Sequence, residues 1–492
     1  MILNCVLPLL IFGCGLVHSA SADEHVFRGV DSIVKGKHYA DAAHVDFGDE
    51  EFPSKFGDLI PLLSNLRTLV VGGPRYTDWH VERLEKISTL QVLVLDSTDV
   101  SDIALARLAK SRPDLKVLRS QRWAIKAVLQ IHREIHIDTT VDESEPKLRT
   151  LLGEPYFVTA SRVDFGRLPD DELGPRDMIL GEQVAPLKSL GTLTYLDLRW
   201  VRMNDASMTY LRPLVNLESL RLPDNEASRH GFSCLQGMSR LKSFTGRIDD
   251  EHTPEIAVLQ QLESLDIGSG SMLTDAGLTD LGRLTRLKSL RLSSPHIHGA
   301  GLEHLAGLAK LHTLTLGSGV RDLTHLPKLS GLRYLNLTDT DLNDQALSSL
   351  ANCMKLESVA LQNTPIGDKG VSNLGKLPNL YNLALGWTRV GDAGAAHLKH
   401  FPQLRHLNLS GTDISSTGLD SLREIRHLES LILYSVDLDE RAIQSLEALG
   451  HLKSLAVSYR PQSARGNQKP PTLPISELKA RLKKSLPNCQ IQ

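Results

Sequence analysis

Residues 356–409 read LESVALQNTPIGDKGVSNLGKLPN, then LYNLALGWTRVGDAGAAHLKHFPQ, then LRHLNL, so one pattern returns after 24 residues. A period in the twenties with leucines at positions one, four and six of its head describes a unit too small to bury its own apolar face. Such units are stable when they stack on neighbours, which makes a solenoid and excludes a core shared across the whole chain. In residues 380–385 the leucines Leu380, Leu383 and Leu385 alternate with Asn382 and Ala384, the period of a strand with one face inward. After Val390 the apolar spacing becomes helical at Ala395 and Leu398, so each unit is expected to hold one strand, one turn and one helix.

A short polar residue stands where each helix begins. Asp392 occupies that slot, as do Asp78, Asp102, Asp205, Asp275, Asp344 and Asp368, each after Ser, Thr, Asn or Gly. The expectation is that these aspartates cap their own helices and do not form a metal or catalytic carboxylate cluster. Two residues on, the slot is small: Ala104, Ser207, Gly277, Gly301, Ala346, Gly370, Gly394, Gly418 and Ala442. Close approach of adjacent helices on the convex side is the expected reason.

The strand heads of a long array fall at Ala160, Leu193, Leu217, Leu241, Leu262, Leu287, Leu311, Leu332, Leu356, Leu380, Leu404, Leu428 and Leu452. The unit from Leu311 is short and contains Pro327, which predicts a tighter turn in place of its helix. An earlier array begins at residues 42–47 and continues at 66–71 and 90–95. The period then breaks: residues 121–130 are expected as an amphipathic helix, 134–137 as a short strand and 138–145 as an acidic loop. The resulting organisation is a signal peptide at 1–22, a first array at 23–119, a cap and spacer at 120–159, a second array at 160–457, a flexible linker at 458–474 and a capping helix with an edge strand at 475–492.

Residues 1–22 have an apolar centre and end in Ala20-Ser21-Ala22, the pattern before a signal-peptidase cut, so the mature chain is expected to start at Asp23 and be exported to the periplasm, the cell envelope or the exterior. A lipoprotein signal ending at Cys14 is the rival reading. The run is too short to span a bilayer comfortably. Cys234, Cys353 and Cys489 remain, an odd number whose spacing along stacked strands puts the first two beyond disulfide reach, so they are expected as buried small residues. A net charge of -3 offers no basic surface for nucleic acid.

Units of the form T-D-A-G-L-x-x-L-x-x-L-x-x-L-x-x-L-x-L resemble ribonuclease-inhibitor-like leucine-rich repeats. The L-R-T-L-L-G-E-P-Y-F run at 148–157 and the L-P-N-C-Q-I ending at 486–491 are similar to those of exported planctomycete-type repeat proteins. The resemblance implies an α/β right-handed horseshoe with a concave parallel sheet and convex helices, used for protein recognition.

No H-E-x-x-H, G-x-S-x-G or C-x-x-C motif occurs, so no enzyme activity, cofactor or metal is expected. The match at 370–376 to a phosphate loop has Leu377 where Ser or Thr would hold magnesium, and His296 and His298 flank a core residue in a turn. The third strand slot is small (Ser219, Ser243, Ser264, Ser289, Thr313, Ser358, Ser430 and Ser454), an open background on which larger residues stand out. These are Tyr195, Asp197, Arg199, Trp200, Arg221, Asp224, Arg247, Asp266 and Arg291, and further on Tyr334, Asn336, Trp387, His406, Asn408 and Tyr434. Exposed Trp, Tyr and Arg on a rigid sheet are the material of binding hot spots. The leading expectation is a non-enzymatic scaffold binding a protein or peptide partner on the concave face of the second array, with Arg199, Arg221 and Arg247 as a ladder for carboxylates. Alternatives are a carbohydrate or envelope-polymer binder, with Trp387, Tyr334 and Tyr434 as stacking platforms, and an adaptor like the leucine-rich-repeat subunits of ubiquitin ligases.

Overall fold

A computed structural model describes residues 26–28, 43–47, 65–131, 135–144, 146, 149–150, 154–165, 179–222, 226–268, 270–436, 438–458 and 474–492. The expected signal peptide, most of the linker and Asp224 lie outside the described residues. The chain divides into two compact units, Met1–Arg240 and Leu241–Gln492.

In the first unit, β1 (Val26–Arg28), β2 (His44–Asp46), β3 (Thr68–Gly72), β4 (Val92–Asp96) and β5 (Lys116–Ser120) form a parallel sheet in chain order. Helix α1 (Asp78–Leu84) joins β3 to β4, and α2 (Asp102–Ser111) joins β4 to β5. Helix α3 (Arg122–Leu129) then occupies the place expected for an amphipathic helix. Strand β6 (His136–Val141) follows and pairs antiparallel with β7 (Val158–Asp164). The expected loop over 138–145 is therefore corrected: the strand continues to Val141, because the β-branched Thr139, Thr140 and Val141 suit a pleated edge and Thr140 shares a 2.9 Å hydroxyl contact with Thr159. The short pair β8 (Ile179–Leu180) and β10 (Val201–Arg202) flanks the parallel run of β7, β9 (Tyr195–Asp197) and β11 (Ser219–Arg221).

Buried polar groups tie this region together. The Tyr156 hydroxyl donates to Asp46, and the carboxylate of Asp96 accepts from the backbone N–H of Trp123 at 3.0 Å, near the start of α3. Burial pushes the Asp96 carboxyl up to about 6, against the hydrogen bonds that favour its charged form.

The second unit runs through β12 (Ser243–Gly246), β13 (Ser264–Ile267), β14 (Ser289–Leu292), β15 (Thr313–Leu316), β16 (Tyr334–Asn336), β17 (Ser358–Ala360), β18 (Asn382–Ala384), β19 (His406–Asn408), β20 (Ser430–Tyr434), β21 (Ser454–Ser458) and β22 (Gln490–Ile491). Each pairs parallel with the next. Leu314, Leu335, Val359, Leu383, Leu407, Leu431 and Leu455 stand in register as one inward column, all buried. Each such side chain contributes about 2 kcal/mol, and only when its neighbours are in place. Short α-helices appear at Asp368–Asn373, Asp392–His397 and Ser416–Ser421. In three repeats the expected helix tightens into a 3-10 turn, at Ala300–Gly307, Ala346–Asn352 and Leu326–Lys328, the last containing Pro327. In the last, the missing N–H of Pro327 favours the tighter turn.

The aspartate slot proves to link units. Asp78, Asp205, Asp368 and Asp392 are the first helical residues, and the cap position belongs to Thr77, Asn204, Gly367 and Gly391. Each carboxylate instead accepts from the cap residue of the following repeat. Asp205 binds the Ser228 N–H and hydroxyl, both at 2.7 Å; Asp392 binds the Ser415 N–H at 2.7 Å and hydroxyl at 2.6 Å; Asp368 binds the Gly391 N–H at 2.7 Å. The hydroxyl bonds from Ser101 and Ser228 hold the Asp78 and Asp205 carboxyls below the usual range. The small slot has the same cause: a Cβ on Gly370 or Gly418 would come within 2.5 Å of an oxygen of Asp344 or Asp392 in the preceding repeat. The expectation of self-capping is thus corrected, because the acceptor reaches across the stack before it reaches its own first turn.

A second ladder lies in the turns after the strands. Thr340, Thr364, Thr388 and Thr412 are buried, and each hydroxyl donates to a carbonyl three residues back, those of Leu337, Leu361, Leu385 and Leu409, at 2.6–2.7 Å. Cys234, Cys353 and Cys489 are buried free thiols. Among the described residues no helix is long and apolar enough to cross a membrane.

Candidate partner-binding face

The selected residues in the first unit are held in a closed polar network. Asp197, on β9, is fully buried and accepts from Arg199, through its backbone N–H at 3.0 Å and its Nε at 3.0–3.1 Å. Arg221, its register neighbour on β11 being Asp197 itself, brings Nη1 to 3.7 Å from the same carboxylate. The two arginines therefore converge on one anion. Beside them Arg162 binds Asp164 at 3.0 Å and lays its guanidinium 3.5 Å from the ring centroid of Tyr195. Burial pushes the Tyr195 hydroxyl up. Arg162, Asp164, His136 and Asp138 belong to this cluster and were not selected from the sequence. The signal was present, since Arg162-Val163-Asp164-Phe165 echoes His44-Val45-Asp46-Phe47. Trp200 is half-buried, and its carbonyl accepts from the N–H of Ile179.

In the second unit the selected residues are more separate. Arg247 lies 3.8 Å from Asp249, and Arg291 is 3.8 Å from Asp266, its register partner on the neighbouring strand. Tyr334, 38% exposed, donates to Glu357 at 3.1 Å, and Glu357 also holds Arg333 at 2.8 Å. His406 is exposed and meets Tyr381 edge-on, ring centroids 6.1 Å apart. Asn336 and Asn408 point back instead: their side-chain oxygens accept from the N–H groups of Thr338 and Ser410 at 2.9 Å, closing the turn after each strand. Trp387 is not on a strand. It sits in the turn beyond β18 at φ 61° and shares the C-terminal end of the face with Tyr434.

Among the described residues no three His, Cys, Asp or Glu side chains gather as a metal site. His298 Nδ1 lies 3.2 Å from the carbonyl of Gly319, as expected of a turn residue.

Three stretches match leucine-rich-repeat family models: residues 330–351 and 352–375 match Leucine Rich repeat, and 395–487 match Zer-1-like, Leucine-rich repeats. These are leucine-rich repeats. Among solved structures, the chain is similar to an internalin (inlF) from Listeria monocytogenes, with 21% identity over 74% of this chain and 96% of that one, TM-score 0.47. It is similar also to a leucine-rich-repeat protein of Leptospira interrogans, with 17% identity over 95% and 99% of the two chains, TM-score 0.44. No curated protein matches the chain.

Proposed function

We propose that this is a non-enzymatic interaction protein that binds a protein or peptide partner on the outward strand face of Leu241–Gln492. Repeats of this kind generally mediate protein–protein interaction through such extended surfaces. The observation that carries the reading is the contrast along β13–β20: small, partly exposed Ser264, Ser289, Thr313, Ser358 and Ser430 surround an exposed Arg291, Tyr334 and His406. Large anchors on a low, rigid background give a partner pockets to fill without first displacing neighbouring side chains. Of the ladder expected from Arg199, Arg221 and Arg247, the first two serve Asp197 and the third stands 3.8 Å from Asp249, so the arginine that acts in this reading is Arg291, outside that ladder. A partner purified on the full chain is titrated against Arg291→Ser/Tyr334→Ala/His406→Ala and against a convex control, Glu303→Ser/Lys369→Ser/His397→Ser. The strand-face variant is expected to weaken binding by about tenfold or more. Equal affinities would reject the face.

A further inference from the structure

The turn after each strand from β16 to β20 carries a residue in the left-handed region. Asp339, Asn363, Gly411 and Ser435 fill that slot at φ 61°, 58°, 59° and 56°, and Trp387 fills it at 61°. Glycine, asparagine and aspartate tolerate this conformation; a bulky side chain there is strained. Such strain persists where surroundings enforce it and commonly accompanies a site. Here it aims an indole. The ring is seated on the next repeat's slot, where a Cβ at Gly411 would stand 2.3 Å from Trp387 Cε3. Trp387 thereby forms one wall of a cavity of about 510 Å³, completed by Tyr434, Ser458, Gln492 and Lys479 from the helix Ile475–Ser485.

We infer that this cavity binds an acidic saccharide, a sugar ring bearing a carboxylate. The half-buried indole and the 38% exposed phenol of Tyr434 offer flat apolar surface to the C–H face of a sugar. The hydroxyls of Tyr434 and Ser458 and the Gln492 amide can meet ring hydroxyls as donors or acceptors. Among the described residues no aspartate or glutamate side chain lines the cavity. Lys479 has no carboxylate partner among the described residues, whereas Arg481 on the same helix is taken by Glu440 and Glu447. An ammonium at the rim of an aromatic-walled cavity favours an anionic substituent. The backbone at the site argues against an added peptide strand, because the N–H groups of Trp387, Gly411 and Ser435 are already given to the carbonyls of Ser410, Tyr434 and Ser458. Recognition here falls to side chains, and it is independent of partner binding on the strand face.

The test is calorimetry on the full chain with three uronic-acid probes, trigalacturonate and short alginate and hyaluronan fragments, beside neutral maltotriose and an acidic peptide. At least one uronic probe is expected to bind about tenfold or more tighter than maltotriose. Lys479→Gln is expected to erase that preference and Lys479→Arg to restore it. Trp387→Asn, which places the residue of the preceding repeat in the slot, is expected to abolish binding while leaving the melting temperature unchanged or higher. The inference is overturned if no uronic probe binds, if maltotriose binds as well, if the acidic peptide binds in place of the saccharides, or if Lys479→Gln or folded Trp387→Asn keeps full affinity.

Discussion

The outward positions of β9 and β11 and those of β13–β20 are set by the same period, yet one group is closed and the other open. Around Asp197 two arginines that keep 42–46% of their side-chain exposure fold over a fully buried carboxylate. Around Arg291 the ion pair is 3.8 Å long with both side chains about half exposed, and the neighbouring slots are small hydroxyls. What separates them is residue choice at a few outward slots: an Asp beneath a Tyr and between two Arg becomes part of the fold, whereas an Arg among serines stays at the surface. Charge on a repeat face is thus no guide to binding until its burial is known.

The largest effect should come from what both regions share, the inward column. Leu383→Asp is expected to destabilise by about 4 kcal/mol or more, because it buries an unpaired carboxylate between Val359 and Leu407. Urea denaturation would show it, and near-native stability would undo the strand phase. Next, the two acidic partners should part company: Asp197→Ala is expected to cost about 2 kcal/mol, because it leaves the Arg199 backbone N–H without its acceptor, and Asp266→Ala under about 0.5 kcal/mol. Equal costs would dissolve the contrast. Asp96 sharpens it from the pH side. Its folded carboxyl, raised to about 6 from 3.8, adds stability that is full below about pH 4 and lost as pH rises through about 6. By the linkage relation the span is about 2–3 kcal/mol, and Asp96→Asn should flatten that window in denaturation curves taken from pH 4 to 7. A smaller effect, about 1 kcal/mol, is expected when Asp392→Ala frees the Ser415 cap of the next repeat.

The solenoid was legible because leucine spacing reports burial directly, and Leu380, Leu383 and Leu385 are all fully buried as their period requires. What escaped were relations between repeats. A linear reading puts Asp392 beside its own helix; its hydrogen bonds lie 23 residues away, at Ser415. Trp387 shares the phase of the inward Leu383 and Leu385, so alternation does not place it on the strand face; it leaves the core because the backbone turns left-handed there. Asp197 read as a surface charge because period two gives the direction of a side chain, and says nothing of the arginines that fold over it.

Site-specific photocrosslinking tests the partner-binding face most directly. A photoreactive residue is placed at Ser289, Ser358 or Ser430 on the strand face, or at Glu303, Lys369 or His397 on the convex side, and each protein is exposed to extract containing the partner. The strand-face positions should yield one common adduct, lost in the Arg291→Ser/Tyr334→Ala/His406→Ala background, with no such adduct from the convex set. The same adduct from the convex positions, undiminished in that background, would contradict the assignment.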